Sequence, residues 1–123
     1  MITYQDARRK MLKYLATLES KDREVAELRK GLTAKEREIL GLPQTEEVTS
    51  LAIIEDATIA DDFGWVFFYQ SRAYVDTKDP LRGLVGNAPV IISKSDGSLH
   101  VTGTAEPVET YIENFKRSGN PFD

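Results

Sequence analysis

Few residues of this chain could perform chemistry. The sequence contains no cysteine and one histidine, His100. Covalent catalysis needs a nucleophile activated by a base, so here a serine or threonine would have to act with a nearby base such as His100. His100 lies in the strand-like segment SLHVTG, where a position facing solvent or a neighbouring strand is the simpler interpretation. We therefore expect no catalytic residues.

Four carboxylates are grouped in the segment EDATIADD: Glu55, Asp56, Asp61 and Asp62. Paired carboxylates can divide acid and base work when burial separates their pKa values, but the sequence places no two of them across a cleft. Their spacing also differs from that of an EF-hand loop, and no glycine-rich phosphate-binding motif is present. We therefore predict a charged turn between strands, without a metal site or cofactor.

The charges of the chain are segregated along its length. Residues 1–37 carry ten Lys/Arg and six Asp/Glu, whereas residues 38–71 carry seven acidic residues and no basic one. Binding to a nucleic-acid backbone depends on Lys and Arg, so the acidic middle argues against a nucleic-acid partner. It suits a basic protein partner instead.

The length of 123 residues predicts one domain, 1–123, with a single core. The absence of cysteine fits a reducing compartment without proving one. No segment approaches the roughly 20 apolar residues that a membrane span requires. We expect a soluble protein of the cytoplasm that makes no membrane contact.

The N-terminal third, residues 1–42, is predicted to be helical. Thr3 followed by Asp6 is a weaker form of the capping box, and apolar residues at three- and four-residue steps predict a first helix from about Tyr4 to Leu18, or further. Residues 19–30 are charge-rich and favour a helix, but only Val25 and Leu28 could anchor it. Thr33 and Glu36 have capping-box spacing and predict a second helix over residues 34–40.

From residue 48 to residue 117 the pattern predicts a sheet and a closing helix. Four strands are expected, at 48–57, 64–71, 89–94 and 99–103, the last two joined by a turn at Ser95-Asp96-Gly97. Pro107 is expected to be the first residue of a helix over 107–117 that packs on the sheet. The predicted class is α+β, with N-terminal helices and an antiparallel sheet of about four strands.

Two further features point to binding. The segment 76–89 is the longest irregular stretch, and loops of that length in compact domains are usually functional. In the aromatic strand we expect Phe67 to be buried, and Trp65 to be the exposed exception because tryptophan is frequent at protein interfaces.

Residues 48–117 resemble the immunity protein 35 family (YrhB-type domains) of bacterial polymorphic toxin systems. The family outline is a glycine and tryptophan before an aromatic strand, then a tyrosine, a threonine, a GN.P segment, a glycine turn and GT..P.E.YI..F. In this chain the outline falls on Gly64, Trp65, Phe68, Tyr74, Thr77, Gly86, Asn87, Pro89, Gly97, Gly103, Thr104, Pro107, Glu109, Tyr111, Ile112 and Phe115.

The resemblance implies a non-enzymatic antitoxin that binds a cognate toxin and protects the producing cell. We expect the toxin to be bound by an acidic edge, Trp65 and the 76–89 loop. The partner-binding residues expected on this basis are Glu55, Asp56, Asp61, Asp62, Trp65, Tyr74 and Arg82. A chaperone-like or housekeeping binding module, or an enzyme of unknown type, remains an alternative at this point, and homodimerisation through an unpaired sheet edge is possible.

Overall fold

The computed structural model describes residues 1–44 and 49–123. The fold is α+β, as predicted. The helices are α1 (Tyr4–Arg29), α2 (Ala34–Ile39), α3 (Arg72–Thr77) and α4 (Val108–Ser118). The strands are β1 (Leu51–Ile53), β2 (Ile59–Asp61), β3 (Gly64–Phe67), β4 (Tyr69–Ser71), β5 (Val90–Ser93) and β6 (Leu99–Val101), with 3₁₀ turns at Glu55–Ala57 and Pro80–Arg82.

Helix α1 begins at the capping box that the sequence indicates. The Thr3 hydroxyl accepts a hydrogen bond from the Asp6 backbone N–H at 3.2 Å, and the Asp6 carboxylate accepts one from the Thr3 N–H. Ala7, Met11 and Leu15 recur at four-residue steps and are buried against the rest of the chain. One turn of α1 after another therefore presents the same apolar face to the core.

The charge-rich segment after Leu18 continues α1 to Arg29. The Glu19 carboxylate accepts a hydrogen bond from the backbone N–H of Leu51 at 2.7 Å, which ties this segment to β1. At the far end, the buried guanidinium of Arg37 in α2 donates to the backbone carbonyls of Arg29 and Pro43. The bond to Arg29 satisfies a carbonyl group that the end of α1 leaves without an intrahelical partner.

The strands form two antiparallel sheets. The larger has the order β2-β3-β5-β6, and the smaller pairs β1 with β4. The predicted strand 64–71 is thus two strands in different sheets, because the Phe68 carbonyl turns to accept from the backbone N–H of Ile54. The hairpin of β5 and β6 is as predicted, with Gly97 at a φ of +73° in its turn.

The prediction for residues 48–57 is only partly right. Strand β1 covers Leu51–Ile53, whereas Glu55–Ala57 is a 3₁₀ turn, and Val48 lies outside the described residues. Strand β2, in the predicted turn, and helix α3, at the start of the predicted loop, were not expected. Pro107 directly precedes α4 instead of being its first residue.

The larger sheet has a hydrophobic cluster on each face. Trp65, Phe67 and Ile92 face the buried side of α1. The alternate residues Val66 and Ile91 face the other way and pack with Phe115 of α4. Successive side chains of β3 and β5 point to opposite faces of the sheet, and both faces are buried. Both strands therefore have nearly continuous apolar sequences.

Candidate functional site

The four predicted carboxylates do not form one rim. Glu55 and Asp56 lie in the 3₁₀ turn before β2, whereas Asp61 ends β2 and Asp62 follows it. The strand separates the two pairs. One carboxylate of each pair also meets a different helix, Glu55 at α1 and Asp61 at α4. The structure therefore does not bring these residues together as one anionic edge.

The negative charge of Glu55 is paired with a basic residue of α1. Its carboxylate accepts two hydrogen bonds from the Arg8 guanidinium, the shorter at 2.6 Å, and one from the Tyr4 hydroxyl at 3.4 Å. The hydrogen bond with Glu55 raises the pKa of Arg8, and burial followed by the nearby Glu55 charge raises the pKa of the Tyr4 hydroxyl. Both side chains of this ion pair remain partly exposed, so it links α1 to the 3₁₀ turn at the surface.

Asp61 is paired with α4. Its carboxylate lies 3.5 Å from the Lys116 ammonium, which also lies 5.9 Å from the centre of the Phe63 ring. The pKa of Asp61 is lowered, chiefly by the hydrogen bond from the Asp62 backbone N–H and secondarily by the Lys116 charge. Asp56 and Asp62 are therefore the exposed carboxylates of the group that have no ion-pair partner within the described ranges.

The prediction that Trp65 is exposed is wrong. Its side chain is 7% exposed and belongs to the cluster beneath α1, with the Tyr4 ring 6.3 Å away. Trp65 pairs with Ile92 in register and therefore shares the face that α1 covers. With α1 in this position, Trp65 offers little surface to a partner.

The long irregular segment is anchored to β4. We call residues 79–87 the anchored loop. The side-chain amide of Gln70 bonds both backbone groups of Leu84, the Ser71 hydroxyl donates to the Arg82 carbonyl at 2.6 Å, and the Asn87 amide donates to the Tyr69 carbonyl at 2.5 Å. Side chains thus take the place of a neighbouring strand, which holds the loop in one conformation.

The anchored loop presents apolar side chains to solvent. Leu81 is 94% exposed and Val85 is 99% exposed. Arg82 lies between them, exposed, with its guanidinium 3.6 Å from the Asp79 carboxylate. The predicted residue Tyr74 is half-buried beneath the loop, where its ring lies against Gly83. The structure thus brings Tyr74 and Arg82 to one surface.

Sequence reasoning identified this loop but not Leu81 and Val85 as its exposed residues. Leu81 and Val85 are apolar like core residues, so residue type alone does not mark them as exposed. The only sequence signal is that prolines and glycines flank them and set them apart from the strands. A surface that exposes large apolar side chains and is anchored to a sheet is suited to binding a protein.

A cleft of about 430 Å³ lies beside the β5-β6 turn and is lined in part by His100. The Ser98 hydroxyl lies 2.8 Å from His100 Nε2 and donates to the Asp96 carboxylate at 2.7 Å. When the hydroxyl proton goes to Asp96, Nε2 is the donor to Ser98. A serine nucleophile needs the opposite polarity, with histidine accepting its proton, so this geometry does not activate Ser98.

No group of three or more potential metal ligands comes together in residues 1–44 and 49–123. Over the same described ranges, no helix has both the length and the apolar character that crossing a bilayer requires.

Comparison with known proteins gives one family. The model of the family described as Immunity protein 35 matches residues 5–115. A protein of Escherichia coli (strain K12) named Uncharacterized protein YrhB is 42% identical over 53 residues, which are 43% of this chain and 56% of that protein. The aligned part thus covers just over half of the relative's length. No solved structure gives a significant match.

Proposed function

The chain belongs to the immunity protein 35 family, and from this premise we propose that it binds and neutralises a cognate bacterial toxin by occluding the toxin's surface. The proposal places the protein in the cytoplasm of the producing cell, where an unneutralised toxin would act. Inhibition here requires no turnover, because the complex itself blocks the toxin. Family membership carries the proposal, and the anchored loop supplies the surface.

The toxin-binding surface that we propose consists of Leu81, Arg82 and Val85 of the anchored loop, with Tyr74 beneath them. A partner that covers Leu81 and Val85 removes two almost fully exposed apolar side chains from water. Arginine and tyrosine are enriched among the residues that dominate binding energies at interfaces. The hydrogen bonds from Gln70, Ser71 and Asn87 order the loop before binding, so less conformational entropy is lost on association.

Negative charge has a secondary part in this proposal. Asp56 and Asp62 are exposed, whereas Glu55 and Asp61 are engaged by Arg8 and Lys116. Exposed carboxylates accelerate the approach of a basic partner through long-range attraction, which weakens as salt is added. We assign these residues to steering and not to the buried part of the contact.

The test uses the toxin encoded beside this gene and measures its affinity for purified variants. Leu81→Ser combined with Val85→Ser should weaken binding about a hundredfold or more, since each residue loses roughly 1.5–3 kcal/mol of apolar burial. Leu28→Ser is the matched control, because Leu28 is an 85% exposed leucine on α1, away from the loop. It should leave the affinity unchanged.

The outcomes separate the function from the surface. If the unaltered chain does not bind the toxin, the proposed function is wrong. If it binds and the double variant binds equally well, the function stands but the anchored loop is not the contact. General suppression of aggregation of unrelated proteins, without toxin binding, would instead support the chaperone-like alternative.

A further inference from the structure

The two edges of the larger sheet differ in how they are protected. The alternation of hydrogen bonds in an antiparallel ladder sets which backbone groups point outward. In β2, Ile59 and Asp61 direct their groups toward β3, so Ala60 alone of its three residues directs its groups outward. Asp61 and Asp62 add charge at that edge, and charge discourages the addition of another strand.

The edge formed by β6 has no such protection. The Ser93 N–H donates to the Ser98 carbonyl, and the Thr102 N–H donates to the Pro89 carbonyl. Because hydrogen-bonded and non-hydrogen-bonded pairs alternate along the ladder, His100 directs its backbone groups toward β5. Leu99 and Val101 direct their N–H and C=O groups away from the sheet. No other described residue bonds these outward groups. The segment 98–103 contains neither a charged residue nor a proline, and the Val101 side chain is 41% exposed.

We infer that β6 is a strand-pairing surface whose occupant is a second copy of this chain. The outward pattern is self-complementary. If two β6 strands run antiparallel with His100 opposite His100 of the second copy, Leu99 of each strand lies opposite Val101 of the other. Each of these two pairs exchanges both backbone hydrogen bonds, which gives four bonds about one two-fold axis.

This arrangement joins the two larger sheets into one eight-stranded sheet. The pairing segment is uncharged, so no like charges are brought together within it. Because only three residues of each strand pair, we expect an association that depends strongly on concentration. The inference does not depend on the proposed function, since Leu81, Arg82 and Val85 take no part in it.

The first experiment measures molecular mass by sedimentation from about 10 µM to about 1 mM, a range suited to a weak association. The unaltered chain should move from 13.8 kDa toward twice that mass. Val101→Pro removes an outward N–H that β5 does not use and should lower the association constant about tenfold or more. Val101→Thr keeps the N–H and is the matched control, which should associate like the unaltered chain.

Two further variants keep the test independent of folding defects. Val101→Lys retains the backbone and should also reduce association, because it places a charge at the edge. His100→Cys should form an intermolecular disulfide on mild oxidation, because directly opposed Cβ atoms in such a pair lie about 4.5–5.5 Å apart. The chain contains no other cysteine, so Ser95→Cys in the adjacent turn is a clean control that should cross-link much more slowly.

Three results would overturn the inference. The first is a mass of 13.8 kDa for the unaltered chain at every concentration. The second is self-association of folded Val101→Pro and Val101→Lys at the unaltered strength, and the third is equal cross-linking of the two cysteine variants. A chain that stays monomeric but loses toxin binding on Val101→Pro would assign this edge to the toxin instead of a second copy.

Discussion

The side chain of Gln70 bonds both backbone groups of Leu84. Its Oε1 atom accepts from the Leu84 N–H at 2.7 Å, and its Nε2 atom donates to the Leu84 carbonyl at 3.2 Å. One amide thus replaces a neighbouring strand at the point where the anchored loop meets β4. This pair is the link between the sheet and the surface to which we assign toxin binding.

We predict that Gln70→Ala releases the anchored loop. The Leu84 backbone groups lose their partners, which costs about 1–3 kcal/mol where such groups are shielded from water. Urea unfolding should show this loss of stability, and hydrogen exchange at the Leu84 amide should accelerate.

Gln70→Glu is the informative comparison for the same pair. It keeps an acceptor for the Leu84 N–H but removes the donor to the carbonyl, so we expect the amide to stay protected more than in Gln70→Ala. Equal protection of the Leu84 amide in Gln70→Ala and the unaltered chain would show that the pair does not hold the loop.

Gly64→Ala should prevent normal folding. Gly64 has a φ of +141°, and an added Cβ would overlap the backbone carbonyl oxygen of Ile92 in the neighbouring strand. Neither atom can move without disturbing the pairing of β3 with β5, so we expect a loss of more than about 3 kcal/mol. Circular dichroism and urea unfolding measure it.

Gly31→Ala is the matched control, because nothing lies within 4 Å of the corresponding added atom. It should change the free energy of unfolding little. Similar stability of the two alanine variants would contradict the close approach at Gly64.

The capping box of α1 should contribute stability that depends on pH. Hydrogen bonds from the Thr3 backbone and then the Thr3 hydroxyl lower the pKa of the Asp6 carboxyl. A carboxyl whose pKa is lower in the folded state stabilises the fold above its unfolded pKa of about 3.9, and this contribution disappears as pH falls through the folded pKa. Asp6→Asn should therefore be less stable than the unaltered chain near neutral pH.

The difference between Asp6→Asn and the unaltered chain should shrink as the solution is acidified below the unfolded pKa. Thermal unfolding at several pH values measures it. Asp22→Asn, an exposed substitution in the same helix that removes no capping hydrogen bond, is the matched control. A stability difference between Asp6→Asn and the unaltered chain that stays constant to the lowest pH would contradict a stabilising role for the ionised Asp6 carboxylate.

Charge reversal at Asp56 and Asp62 should slow toxin association. Because these exposed carboxylates act at long range, Asp56→Lys with Asp62→Lys should lower the association rate constant about tenfold at low salt, and added salt should narrow the difference. Stopped-flow mixing measures both. Asp22→Lys with Glu24→Lys, two exposed positions on α1, makes the same change in net charge. An equal effect of that pair would show that the position of the charge is unimportant.

Local patterns in the sequence were sufficient to predict several elements. Capping boxes at Thr3 and Thr33, helical spacing in α1 and α4, and the glycine turn of the β5-β6 hairpin depend on residues close together along the chain. Their physical basis is local hydrogen bonding and side-chain periodicity, so they can be recognised without knowing which elements pack together. The α+β class rests on the same local information.

Long-range packing decided the remainder. The apolar run 64–71 does not reveal that its halves join different sheets, because that division depends on the distant partner Ile54. Trp65 is buried because α1 crosses its face, and Glu55 and Asp61 are paired because Arg8 and Lys116 reach them from opposite helices. Residue types and spacing determine which local structures are favourable, whereas only the tertiary structure determines which faces and charges remain available to a partner.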